Sequence, residues 1–215
     1  MRKYLTEFIG TLLFVLIIGL IVTPGPQPLA PLMIGSALMV LVYMGGHVSG
    51  AHYNPAVTLA VFLRGKLPAA EVLPYMAAQI LGGTTGAYLS YILLDQTFAP
   101  APGATATTMS ALLVEIIFTF TLALVVLNVA VSSGTRGNSF YGLAIGFTIA
   151  VAVTAGGPVS GGVYNPAVGT GSSLINAFIG GGDLTKLWLY LVGPLTGGAL
   201  AAFVFKLQES PELPL

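Results

Sequence analysis

Apolar residues in this chain come in long blocks, not in strict alternation or narrow stripes. Six blocks stand out: Tyr4–Val22, Leu29–Gly46, Ala69–Leu93, Met109–Ser132, Ser139–Gly156 and Leu184–Lys206. Each is close to the ~20 residues a helix needs to cross a hydrocarbon core. Polar or Pro/Gly-rich segments separate most of them: "PGPQP" from Pro24, "APAPGATATT" from Ala99 and "SSGTRGN" from Ser132. Two shorter apolar pieces remain, Asn54–Leu63 and Asn165–Phe178. At about 1.5 Å per residue, neither can cross. The pattern predicts an all-α membrane protein, a single transmembrane domain over residues 1–215. It has six transmembrane helices and two pieces that enter the bilayer without spanning it.

Both short pieces follow the same phrase. "SGAHYNPAVTLA" starts at Ser49 and "SGGVYNPAVGTG" at Ser160, an offset of 111 (160 − 49). Gly35 and Gly146 share that offset, as do Gly82/Gly86 and Gly193/Gly197. Glu7 and Thr11 pair with Glu115 and Thr119 at 108, the slip falling in the first loop. The chain therefore reads as two repeats, about 4–98 and 109–207. Each has three spans and one short piece. Three is odd, so the second repeat is inserted upside down, an architecture that builds a pathway at the membrane midplane. The Gly-xxx-Gly pairs, Gly142/Gly146 included, predict close helix packing.

Asn-Pro is a helix start: Asn favours the N-cap and Pro the first helical position. One copy alone would be an ordinary cap in a loop. Two copies in an inverted repeat predict half-helices beginning at Asn54 and Asn165, dipping in from opposite faces. Each N-terminus carries about half a positive charge. Two of them meeting repel cations and protons. Each Asn is expected to hold backbone N–H groups with its oxygen and to donate its amide into the lumen.

Composition agrees. The chain is 55% hydrophobic and 7% charged, against about 25% charged in soluble domains. A formal net charge of zero gives no reason to expect nucleic acid. The absence of Cys excludes disulfides and thiolate sites. No metal cluster, cofactor signature or catalytic triad is legible, so no enzyme is expected. Counting Lys and Arg puts Arg2, Lys3, Arg64, Lys66, Arg136 and Lys206 on one side and Lys186 on the other. By the positive-inside rule both termini are cytoplasmic. A plasma (cell inner) membrane is the expected location.

With Asn54-Pro55-Ala56 and Asn165-Pro166-Ala167 in place, the chain resembles the aquaporin (major intrinsic protein) family. "EFIGTLLF" from Glu7, "GGHVSGAHYNPAVT" from Gly45, "AAQILGG" from Ala77 and "VGPLTGGAL" from Val192 extend the resemblance from Glu7 to about Phe205. It implies a right-handed six-helix bundle with two re-entrant half-helices, one pore per subunit and a homotetramer in membrane lipid. Water and small neutral solutes are the implied partners.

The resemblance also suggests that Glu7 and Glu115 brace the re-entrant loops; a proton relay is the alternative for an intramembrane carboxylate. His47 and His52 flank the first box. They are read as loop-bracing or pore-lining, with pH gating at His47 as a further option. Tyr53 and Tyr164 are expected to pack behind the loops. By resemblance, Ile34, Val153, Gly162 and Val168 form an outer selectivity filter. Most relatives carry Arg where this chain has Val168. Losing a guanidinium removes five donors and a fixed charge. The expected filter is wide and apolar, open to glycerol, urea, ammonia or hydrogen peroxide. Gly169 stands where glycerol channels carry Asp, which argues against a dedicated glycerol facilitator. The rivals are a coupled secondary transporter, which inverted repeats also build, and a closed-pore structural protein.

Overall fold

The structure, a computed structural model, describes residues 1–208. Its α-helices are α1 (Arg2–Val22), α2 (Ala30–Ser49), α3 (Pro55–Leu63), α4 (Ala69–Leu94), α5 (Thr108–Val126), α6 (Tyr141–Ser160), α7 (Pro166–Phe178) and α8 (Leu187–Gln208). No strand occurs among the described residues. The short helices α3 and α7 have 9 and 13 residues. They are therefore about 14 and 20 Å long, well under a hydrocarbon core of about 30 Å.

Five helices are long and apolar enough to span a membrane: α1, α2, α5 with its continuation, α6 and α8. The sixth expected span, α4, has the length at 26 residues but is more polar. Glu71, Gln79, Thr84 and Thr85 lower its apolar average. Gln79 is completely buried, so part of that polarity serves the interior.

Helix ends follow local chemistry. The apolar pattern puts the ends of α2 and α6 near Gly46 and Gly156, but both helices run one turn further. Each stops at a left-handed glycine, Gly50 (φ 85°) and Gly161 (φ 92°), the usual helix terminator. The two helices cover ranges offset by 111 (141 − 30). Past Val126, α5 widens into a π-turn over Leu127–Val131. The following loop pins that turn: Asn138 Nδ2 donates to the Val129 carbonyl at 2.7 Å.

Glycines set the crossings. A Cβ on Gly82 or Gly86 would lie 2.4 and 2.3 Å from the Phe8 and Leu12 carbonyl oxygens, so α4 rests directly on the α1 backbone. On α8, Gly197 meets the Ile116 carbonyl of α5 in the same way, at 2.4 Å. The pairs α1–α4 and α5–α8 are thus built alike, and α2 crosses α6. Each half-helix packs on the last long helix of the opposite half, α3 on α8 and α7 on α4. The contacts are Gly198 over the Ala56 carbonyl and Gly83 over the Ala167 carbonyl.

Lys3 pairs with Glu71 at the start of α4. The Arg64 guanidinium lies 5.3 Å from the ring centroid of Phe205, near the end of α8. These contacts gather the start of α1, the end of α3, the start of α4 and the end of α8 at one basic end of the bundle. At the opposite end, Thr97 Oγ1 donates to Asn176 Oδ1 late in α7 (2.8 Å). There Gly103 N also donates to the Val159 carbonyl at the end of α6 (3.0 Å). So α3 enters from the basic end and α7 from the other, and their N-termini face each other inside.

Candidate functional site

The site begins with two identical helix starts. Asn54 and Asn165 are both in extended backbone, and each Oδ1 accepts its own helix's second N–H, from Ala56 and Ala167, at 2.9 Å. Pro55 and Pro166 occupy the first helical position. The amide nitrogens differ from the sequence expectation. Asn54 Nδ2 donates to the Tyr164 carbonyl and Asn165 Nδ2 to the Tyr53 carbonyl, each at 2.9 Å. One hydrogen of each amide therefore ties the two loops together, leaving the second for the cavity that both residues line. Asn54→Leu removes the cap on Ala56 and orphans the Tyr164 carbonyl. The expected cost is about 2 kcal/mol, read as a lower unfolding temperature in detergent. Asn165→Leu should cost the same, because its partners match; clearly unequal losses would refute that equivalence.

The loops leading to the two Asn residues are strained in the same places. Tyr53 (φ 47°) and Tyr164 (φ 51°) are left-handed, unusual for bulky residues. Ala51 (φ 49°) and its counterpart Gly162 (φ 69°) are left-handed too. What stabilises these bends is a carboxylate behind each loop. Glu7 Oε1 accepts from Ser49 Oγ (2.7 Å) and His52 N (3.0 Å); Oε2 accepts from Tyr53 N (2.7 Å) and Gln79 Nε2 (2.8 Å). Glu115 repeats this with Ser160 Oγ, Val163 N and Tyr164 N at 2.7, 3.0 and 2.7 Å. The tyrosine rings pack behind the loops, their hydroxyls donating to the Leu41 and Ala152 carbonyls. Room for those hydroxyls comes from Gly45 and Gly156, where a Cβ would fall 1.9 and 2.2 Å from them.

A cavity of about 510 Å³ runs past this junction. Ile34, Val153, Gly162 and Val168 all line it, together with His52. Glu7, Glu115 and His47 are not among its lining residues. His47 is exposed on the last turn of α2 and makes no hydrogen bond among the described residues, so the structure does not bring it to the loop. Gly169 is small because the Tyr190 Cβ lies 2.6 Å from where its own would stand. The Tyr190 hydroxyl donates to the Ser160 carbonyl (2.7 Å).

Two features escape the sequence reading. The segment Thr97–Ala101, which looked like a plain spacer, lines the cavity at the end away from the basic loops. Its apolar Phe98 and Pro100 are a weak signal, since no periodicity marks a loop that folds inward. Gln79 and Thr58 were also passed over. A buried Gln within an apolar block is the same kind of signal as Glu7.

The family model described as "Major intrinsic protein" matches residues 1–205. The chain is 38% identical over 183 residues to Aquaporin NIP1-1 of Zea mays, covering 84% of this chain and 63% of that protein. It thus spans just under two thirds of that relative's length. With Glycerol uptake facilitator protein-like 6 of Lactiplantibacillus plantarum it is 36% identical over 225 residues, 99% of this chain and 100% of that one. The X-ray structure of the aquaglyceroporin from Plasmodium falciparum has a TM-score of 0.84 to it at 24% identity, covering 95% of this chain and 94% of that one. At that identity the likeness is one of fold.

Proposed function

Because this chain belongs to the major intrinsic protein family, we propose that its cavity is a passive channel for water and small uncharged solutes such as glycerol, urea, ammonia and hydrogen peroxide. The observation that carries the reading is the meeting of two Asn-capped helix N-termini inside one largely apolar cavity. Positive dipole ends disfavour protons and cations there, while the free amide hydrogens offer hydrogen bonds to neutral molecules. Each buried carboxylate accepts three hydrogen bonds at its own re-entrant loop and lies off the cavity lining, which weighs against a coupled proton transporter.

Ile34, Val153, Gly162 and Val168 are proposed as the selectivity filter. Its side chains supply no donor and no charge, so it screens by size and polarity alone. The chain is proposed to work as a homotetramer in a plasma membrane with both termini cytoplasmic. The gathering of Lys3, Arg64, the start of α1 and the end of α8 at one end of the bundle supports that orientation.

Stopped-flow light scattering on proteoliposomes in a glycerol gradient tests this. Shrinkage reports water and re-swelling reports glycerol, with empty vesicles alongside. Both are expected to accelerate. Val168→Arg restores a large cationic donor and is expected to slow re-swelling severalfold while shrinkage persists. Equal re-swelling in parent and variant would remove Val168 from the filter. Rates equal to empty vesicles in the parent would refute the channel.

A further inference from the structure

The apolar lining of the cavity repeats on the two sides of the Asn junction. The outer filter residues Ile34, Val153, Gly162 and Val168 have counterparts at the repeat offset of 111: Ile145, Val42, Ala51 and Val57 (145 − 34, 153 − 42, 162 − 51, 168 − 57). Both sets line the same cavity. Ile matches Ile and Val matches Val twice; only Gly162 and Ala51 differ. The correspondence is spatial too. Gly35 and Gly146 touch reciprocally, and the Tyr53 and Tyr164 hydroxyls donate to the carbonyls of Leu41 and Ala152, which share the offset. Val57 and Val168 lie in the first turns of α3 and α7. Those helices enter from opposite ends, so the second set flanks the junction on its basic side.

The single difference is a methyl group, and the chain carries it against conformational preference. Ala51 (φ 49°) and Gly162 (φ 69°) occupy equivalent left-handed positions. Each backbone N–H donates to the serine two residues earlier, Ala51 N to Ser49 Oγ and Gly162 N to Ser160 Oγ, both at 3.1 Å. The turn is the same, and glycine makes it without the penalty that a Cβ incurs in the left-handed region. A strained residue in a cavity wall points to a use for its side chain. Accessibility differs in the same sense. Ile145, Val42, Ala51 and Val57 are exposed by only 5, 3, 6 and 3%, whereas Val153 and Gly162 of the outer set are half-buried.

We propose that Val42, Ala51, Val57 and Ile145 form an inner filter ring, the twin of the outer one, and that the Ala51 methyl makes it the tighter of the two and the determinant of solute size. The ring's role rests on the channel reading above and places selection by size on the basic side of the junction. A solute entering from the other end passes the Gly162 ring, exchanges hydrogen bonds at the Asn54 and Asn165 amides and meets the tighter ring last. The four inner side chains hold no donor and no charge, so they discriminate by bulk. Ammonia, hydrogen peroxide and urea are admitted more readily than glycerol, and glycerol more readily than longer polyols.

Moving the methyl tests this on the full chain in proteoliposomes, with each variant first shown to give a monodisperse peak. Ala51→Gly removes the methyl and relieves the strain, so it is expected to fold. Glycerol re-swelling should quicken on the order of tenfold, the low end of what one methyl group decides in a close-fitting apolar site. Water shrinkage should change far less, and urea, being smaller, should gain less than glycerol. Adding Gly162→Ala to Ala51→Gly carries the methyl to the outer ring, where its Cβ meets nothing closer than the Gly157 Cα at 3.1 Å. That double variant is expected to return to the parent's glycerol rate. Equal glycerol rates in the parent and Ala51→Gly, both above empty vesicles, overturn the inner ring and leave the channel reading standing. An equal gain for water, urea and glycerol overturns selection by size. A double variant as fast as Ala51→Gly shows that the methyl does not act by narrowing a ring, which also overturns the proposal. A parent no faster than empty vesicles overturns the channel reading and the ring together.

Discussion

Glu7→Leu is expected to yield little or no folded protein. Leucine nearly matches the volume of the side chain but accepts no hydrogen bond. Four donors lose their partner together: Ser49 Oγ, His52 N, Tyr53 N and Gln79 Nε2. The two backbone N–H groups belong to a loop already bent into left-handed conformations at Ala51 and Tyr53, so relaxation cannot easily find them new acceptors. At about 1–3 kcal/mol for each buried orphan, the loss is on the order of 5 kcal/mol or more. That matches the entire stability of many domains. Size-exclusion profiles of detergent-extracted protein would read it as loss of the monodisperse peak. Glu115→Leu orphans three donors instead of four and is expected to be less severe. Ser49→Ala removes a single donor and should remain folded. A stable, monodisperse Glu7→Leu chain would show that the carboxylate is not what holds the loop.

Gly146→Leu carries the second large effect, through sterics. A Cβ at Gly146 would lie 2.5 Å from the Gly35 carbonyl oxygen and 2.6 Å from Met39 Cβ; one at Gly35 would lie 2.5 Å from the Gly146 carbonyl oxygen. The two helices thus touch backbone to backbone at a reciprocal point. No rotamer of a new side chain relieves a clash that begins at Cβ, so α2 and α6 must separate. Overpacking of this kind costs about 3 kcal/mol or more. Because Ile34 and Val153 lie on these helices and line the cavity, any surviving protein should show altered permeability as well as a lower unfolding temperature. Gly134→Ala is the control. A Cβ there meets nothing closer than 3.7 Å, and the variant should behave as the parent does. If Gly146→Leu unfolds at the parent's temperature, the crossing is looser than the geometry says.

Much of the architecture was legible because it is periodic or repeated. Block length marked the helices, and Asn-Pro marked the starts of α3 and α7, because capping is local chemistry within three residues. The 111-residue offset paired Gly35 with Gly146, which the fold brings into contact. Helix ends were less legible. Neither Gly46 nor Gly156 ends its helix, since a glycine in a helical block stops it only where the chain turns left-handed, and that happens at Gly50 and Gly161. The block Ala69–Leu93 marked α4 despite its polar residues, because Gln79 is buried against Glu7 and not against lipid.

The sequence by itself determined that this is a membrane chain of two inverted halves, each with an Asn-capped half-helix. Those properties depend on residue type and on spacing along the chain. Only the tertiary structure decided where the second-order polar groups go. It spent one Asn54 and one Asn165 hydrogen on the opposite loop, left His47 outside the site, brought Thr97–Ala101 into the cavity and joined Gln79 to Thr58 and His52. Such pairings link residues from 6 to 112 positions apart, and a hydrogen bond is satisfied by distance in space, which no local pattern in the chain encodes.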